Sequence, residues 1–250
     1  MIKIIQICFS FLFTILATLV LPVPAYAMHI MEGYLPHPWW WLWYLVTIPF
    51  FIAGLVSIQK KLTINPRLKM LLAFAGAFAF ALSALKLPSI SGSCSHPTGV
   101  GLGAILFGPA AMAVLGAIVL IFQALLLGHG GITTLGANAF SMAVIGPLLA
   151  YGIFRASTRL KAPLWLAVFL GAALGDLVTY LTTAAQLALA IPDETGGILL
   201  SLYKFTAVFG ITQVPLAISE GLLTVFVFNL IYSYSKDELV DLAVIPGEAR

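Results

Sequence analysis

Long apolar runs broken by brief polar clusters fill this chain, the pattern of helices that cross a membrane. Residues 39–58, 71–87, 140–154, 163–191 and 205–232 each read as one crossing. Trp39, Trp40, Trp41, Trp43 and Tyr44 crowd the start of the first run, as aromatic side chains do at a membrane–water interface. Lys60, Lys61, Arg67 and Lys69 bracket the connection after it, and Arg155, Arg159 and Lys161 form the next basic cluster. The bias of lysine and arginine towards cytoplasmic loops places both clusters inside. Residues 99–127 are ambiguous by hydropathy: one long tilted crossing or two short ones. Parity decides for an even number, with Gly108-Pro109 as the break. Residues 99–107 are short for a full crossing, so a re-entrant segment buried in protein is the other way to satisfy the count. The expectation is an all-α polytopic membrane protein of about seven transmembrane helices. Its N-terminus lies outside, and its C-terminus, with Lys236 and a polar tail, is cytoplasmic.

The start of the chain follows a different pattern. Lys3 precedes an apolar stretch over residues 4–20, Pro22 and Pro24 interrupt it, and Ala25-Tyr26-Ala27 supplies a small-x-small site. This is the layout of a cleavable export signal over residues 1–27, leaving residues 28–250 as the membrane-embedded domain. Cleavage would free the amine of Met28 and place His29 second in the mature chain. That amine, the His29 backbone amide and its imidazole can then close fused five- and six-membered chelate rings on one metal ion. The bland alternative is an uncleaved apolar helix with His29 as an ordinary boundary histidine.

Composition agrees with a membrane chain. Apolar residues make up 61% of it, charged residues 8%, and the mean hydropathy is +1.08. The pI near 8.9 reflects topology signals in loops rather than a nucleic-acid surface. Cys8 would leave with the signal, so Cys94 would be the single cysteine of the mature chain, unable to form an intramolecular disulfide. No Gly-x-x-x-x-Gly-Lys-Ser/Thr motif is present for ATP, and neither His-Glu-x-x-His nor Gly-x-Ser-x-Gly occurs.

Candidate chemistry collects on the outer side. His96 lies in the polar interruption Ser91-Gly92-Ser93-Cys94-Ser95-His96-Pro97-Thr98-Gly99 and could add a fourth nitrogen to the Met28–His29 chelate. Four coplanar nitrogens suit Ni(II) or Cu(II), with Co(II) also accommodated, and do not suit zinc, calcium or magnesium. His129, in Gly128-His129-Gly130-Gly131, is either an access ligand or partner that orients His96, or a loop histidine among packing glycines. Glu32 could bond the imidazole or balance charge, or act as a first-turn acid. Ser95, Thr98 and Asn138 are further candidates to orient the site. His37, before Pro38, is expected at the interface, and Cys94 in packing. Asp176 and Glu220 fall inside the last two crossings, where carboxyls are costly unless paired or wet. They could relay charge or meet a partner, or simply hydrogen-bond Gln123, Thr179 or Gln213. Ala73, Ala77 and Ala81 recur every four residues, a spacing that lets another membrane protein dock or a neighbouring helix pack.

Met28-His29-Ile30-Met31-Glu32-Gly33-Tyr34-Leu35-Pro36, the run 83–86, Gly92–Gly99, Phe122–Gly131 and Thr133–Asn138 resemble the CbiM type of energy-coupling-factor S component across nearly the whole mature chain. The resemblance implies an inner-membrane subunit of bacteria that captures cobalt or nickel outside the cell and delivers it inward. It implies partners as well: a transmembrane coupling subunit, two ATPase subunits and often a small accessory membrane protein. The residues that hold the ion in such proteins map onto Met28, His29 and His96. Met31-Glu32 looks more like the cobalt branch, which points to cobalt supply for cobalamin biosynthesis, with nickel as the alternative. No fused accessory segment is visible past Tyr232. The rivals are an intramembrane metalloenzyme using Asp176 or Glu220 as base, and a passive metal channel.

Overall fold

The computed structural model describes residues 26–27, 29–88 and 93–246. The expected signal therefore lies outside the described residues except for Tyr26 and Ala27, and so does Met28. Tyr26–Ala27 form a short strand β1, followed by helices α1 (Trp39–Ile64) and α2 (Leu68–Ala84). Strands β2 (Leu87–Pro88) and β3 (Ser93–Ser95) come next, then α3 (Val100–Phe107) and α4 (Pro109–Leu127). A continuous helical run over 135–159 comprises α5 (Leu135–Ala139), a π-helical turn (Phe140–Ile145) and α6 (Gly146–Arg159). Helices α7 (Leu164–Ala190), α8 (Gly197–Tyr234) and α9 (Lys236–Asp241) complete the chain. Five of these helical runs are long and apolar enough to cross a membrane. The strands form one small sheet in the order β1-β3-β2, with β1 parallel and β2 antiparallel to β3.

The ambiguous stretch breaks where the proline suggests. Gly108 adopts φ +81°, its N–H donates to the Ala104 carbonyl at 2.9 Å, and Pro109 opens α4, where a missing N–H costs nothing. All eight residues of α3 are buried. At 1.5 Å per residue α3 spans only ~12 Å, so its backbone ends must be satisfied by protein rather than lipid. Close approach makes this burial feasible: a Cβ on Gly101 would lie 2.7 Å from Ala172 Cα of α7. Around α3, Leu102, Ile105, Leu106 and Phe107 pack with Leu72, Phe154, Val168 and Phe228 in the largest apolar cluster.

Three expectations change in detail. Helix α2 stops at Ala84, and Lys86 reaches back to donate from Nζ to the Leu127 carbonyl at 3.0 Å, completing the C-terminus of α4. Helix α8 begins at Gly197 rather than near 205 and runs for 38 residues through Pro215. The tail is not merely polar. Leu239 is fully buried, and Val244 and Ile245 join the same cluster as Leu68. The two alanine faces of α2 separate cleanly: Ala75 and Ala79 are buried, while Ala73, Ala77 and Ala81 are exposed.

Candidate metal centre

The segment after residue 28 turns back onto the end of the bundle, and Asn138 holds it there. Ile30 N–H donates to Asn138 Oδ1 at 2.8 Å, and Asn138 Nδ2 donates to the Ile30 carbonyl at 3.0 Å. Thr134 Oγ1 donates to the same carbonyl at 2.6 Å. Apolar burial adds to the clamp, because Ile30 and Leu35 pack with Ala137, Tyr180 and Phe209, rimmed by Trp39, Trp40 and Trp43. The glycines after His129 make room for the segment. Gly130 sits at φ +78° with an added Cβ only 3.4 Å from His29 Cβ, and one on Gly131 would strike Glu32.

This docking brings His29, His96 and His129 together. One ring nitrogen from each lies within 4.8 Å of the others, and all three rings are buried. Ring centroids are 4.8 to 4.9 Å apart in every pairing. His29 Nε2–H donates to Gln123 Oε1 at 3.0 Å, which leaves its lone pair on Nδ1. His96 Nδ1–H donates to the Pro97 carbonyl at 2.9 Å, leaving the lone pair on Nε2, which faces His129 Nε2 at 2.9 Å. Tyr180 fixes the loop by donating its hydroxyl to the His96 carbonyl at 2.7 Å.

Electrostatics favour neutral rings. Burial pushes His96 down to about 4 against the opposing hydrogen bond to Pro97. Burial, followed by the neighbouring His96, holds His29 well below the ordinary imidazole range. Burial, then His29 and His96, depresses His129 as well. Neutral imidazole is the form that binds a metal, so the three rings are poised as nitrogen donors at neutral pH.

The other candidates fall elsewhere. Glu32 is exposed, and its carboxylate accepts the Thr133 N–H at 3.0 Å, so it braces the docked segment rather than an imidazole. Hydrogen bonding from Thr133 holds that carboxyl below its usual value. Nor is Glu32 a first-turn acid, since the nearest helix starts at Trp39. Ser95 Oγ pairs with Thr212 Oγ1 of α8 at 2.8 Å, and Thr98 donates from both N and Oγ1 to Glu220. His37 is exposed and rests edge-on against Trp40. The side chain of Cys94 is not among those described. Of the side chains expected to hydrogen-bond the buried carboxyls, Gln213 does bond Asp176, whereas Gln123 turns instead to His29 and the Thr179 hydroxyl to the Gly175 carbonyl. Gln123 was not legible as a histidine partner. The available signal was its place six residues before His129 on the last turns of α4.

Residues 29–238 match the family described as "cobalt uptake substrate-specific transmembrane region". The cobalt transport protein CbiM of Moorella thermoacetica is 60% identical, over 95% of this chain and 92% of its own length. That of Chlorobium limicola is 64% identical, over 85% of this chain and 84% of its own. Two crystal structures, each of a transition metal transporter, share the fold. One, a truncated form, has TM-score 0.71 at 27% identity over 83% of this chain and 99% of its own. The other has TM-score 0.72 at 26% identity over 85% and 96% respectively. The relatives are named as transport proteins, not enzymes. A buried imidazole cluster at one end of a polytopic helical bundle, in a chain this close to them, places it in the bacterial cytoplasmic membrane as a member of the CbiM family.

Proposed function

We propose that this chain is the substrate-capture subunit of an ATP-driven cobalt importer that supplies cobalamin synthesis. The observation that carries the reading is the convergence of His29, His96 and His129 as buried, neutral nitrogen donors. Trimming after Ala27 makes Met28 the first residue, and its amine joins the His29 amide and Nδ1 in one chelate. The orientation of His29 supports this. Gln123 occupies Nε2, and Nδ1 is the ring nitrogen that closes a six-membered ring with the residue's own amide. His96 offers Nε2 as the fourth donor, and His129, 2.9 Å from it, receives or steadies the ion. Water leaves the ion as the segment 29–35 docks on Asn138 and Thr134, which closes the site.

In this reading the N-terminus is outside, α2 and the buried α3 complete seven crossings with the five long helical runs, and the tail is cytoplasmic. Energy comes from partners: a transmembrane coupling subunit, two ATPase subunits and a small accessory membrane protein. The exposed face of Ala73, Ala77 and Ala81 is where the coupling subunit docks. An all-nitrogen planar set also suits nickel, and competition between the two ions decides between them.

The test is cobalt binding to the purified mature protein after mass spectrometry of its N-terminus. His29→Ala abolishes high-affinity binding, and one residue inserted before Met28 does the same by moving the amine out of register. Unchanged cobalt affinity in His29→Ala refutes the site. Uptake into vesicles that continues without the ATPase subunits refutes energy coupling and favours a channel.

A further inference from the structure

Asp176 of α7 and Glu220 of α8 are both fully buried within membrane-spanning helices. The two side chains are in hydrogen-bonding contact, and the charge of Glu220 also acts on Asp176. Among the described residues neither carboxyl has a lysine, arginine or histidine at ion-pair distance. Two acidic groups in that setting are costly without a positive charge between them.

Their polar partners are unequal. Glu220 accepts from Thr98 N at 2.5 Å and from Thr98 Oγ1 at 3.0 Å, and also from the Gly99 amide, so it is well supplied with donors at the start of α3. Asp176 receives Gln213 Nε2 on Oδ2 and feels the Thr98 amide that Glu220 also uses. Its Oδ1 has no hydrogen-bond partner, and neither has Gln213 Oε1, although both residues are essentially inaccessible. A shared proton would give Asp176 Oδ1 a partner yet leave Gln213 Oε1 a buried acceptor without a donor. A cation ligated by oxygen satisfies both at once and neutralises the pair.

The position matters as much as the donors. Tyr180, whose hydroxyl holds the His96 carbonyl, is one helical turn from Asp176 on α7. Thr98, bound to Glu220, is two residues from His96. The carboxyl pair is thus the next polar station beyond the histidines, towards the start of α7.

We propose that Asp176, Glu220 and Gln213 form a second divalent-cation site, lined by oxygen, which receives the ion from the histidine cluster on its way through the protein. This rests on the importer reading. Oxygen donors hold a late first-row divalent ion less tightly than imidazoles do, the right order for a station that an ion leaves.

The probe is Mn2+, which prefers oxygen ligands, followed by electron paramagnetic resonance on the full mature chain in nanodiscs. Cobalt binding is measured on the same samples and reports an intact fold and outer site. Bound Mn2+ should persist in His29→Ala and vanish in Asp176→Asn and Gln213→Leu, while both of these variants keep cobalt binding at the histidines. Equal Mn2+ binding by wild type and Asp176→Asn overturns the site, as does wild type that binds cobalt but no Mn2+. Wild type that binds Mn2+ in this pattern but no cobalt leaves the oxygen site standing and removes the importer reading instead.

Discussion

Asn138→Ala isolates the clamp from the ligands. The substitution removes both bonds to Ile30, at 2.8 and 3.0 Å, and leaves the Ile30 N–H buried without a partner while Thr134 keeps the carbonyl. An orphaned buried donor costs about 1–3 kcal/mol, and the lost second bond adds about 1 kcal/mol. Partial relaxation of the segment towards water trims the sum to about 2–3 kcal/mol. If docking of residues 29–35 completes the metal site, that cost falls on the bound state, and cobalt affinity drops roughly 30- to 150-fold at about 1.4 kcal/mol per tenfold. Titration calorimetry on the purified mature protein reads this directly. Thr63→Ala is the control, because its exposed hydroxyl bonds the Gln59 carbonyl of its own helix, at 2.8 Å, and does not touch the segment. Cobalt affinity in Asn138→Ala within a factor of about three of wild type would show that segment docking does not build the site.

His129→Ala should weaken cobalt binding about 10- to 100-fold and change the visible spectrum of the bound ion, whereas His37→Ala should do neither. An unchanged spectrum in His129→Ala would place that ring outside the ion's reach. For the metal-free protein, the unfolded chain takes up protons near pH 6.5 that the buried His96 refuses until about pH 4. Stability is therefore fully present above pH 6.5 and falls as the pH drops through that window, with His29 and His129 acting in the same sense. Melting temperatures between pH 7.5 and 5 check this, and a flat profile contradicts the burial of the three rings. Gly101→Val should destabilise the bundle by about 1–3 kcal/mol or prevent its assembly, because the new side chain must displace Ala172. Thermal unfolding of the detergent-solubilised variant at the wild-type temperature would refute the close packing of α3.

The sequence made the outline of this bundle readable because its signals are local. Gly108-Pro109 carries its own stop and start, and the tryptophan-rich opening of α1 needs no distant partner to be recognised. His96, in its polar, glycine-flanked loop, stood out for the same reason. What stayed hidden depends on contacts between residues far apart in the chain. Gln123 meets His29 across 94 positions and Ile30 meets Asn138 across 108, and no periodicity encodes either. His129 reads equally as ligand or loop until the chain folds. The burial of Leu239, Val244 and Ile245 escaped notice because a short apolar group in a charged tail has no period, only the apolar cluster it shares with helices distant in sequence.

Helix α8 is 38 residues long, roughly 57 Å at 1.5 Å per residue, almost twice the hydrocarbon thickness of a bilayer. No tilt in the ordinary range hides such a rod in lipid, so one end or both must stand in water. At one end the turn before it is knitted by Asp193, which accepts from Thr195 and Gly196 and meets Lys204 across the next turns. That knuckle is a firm handle on an otherwise greasy object, a place where an antibody fragment or a surface label can grip and reveal which side it faces.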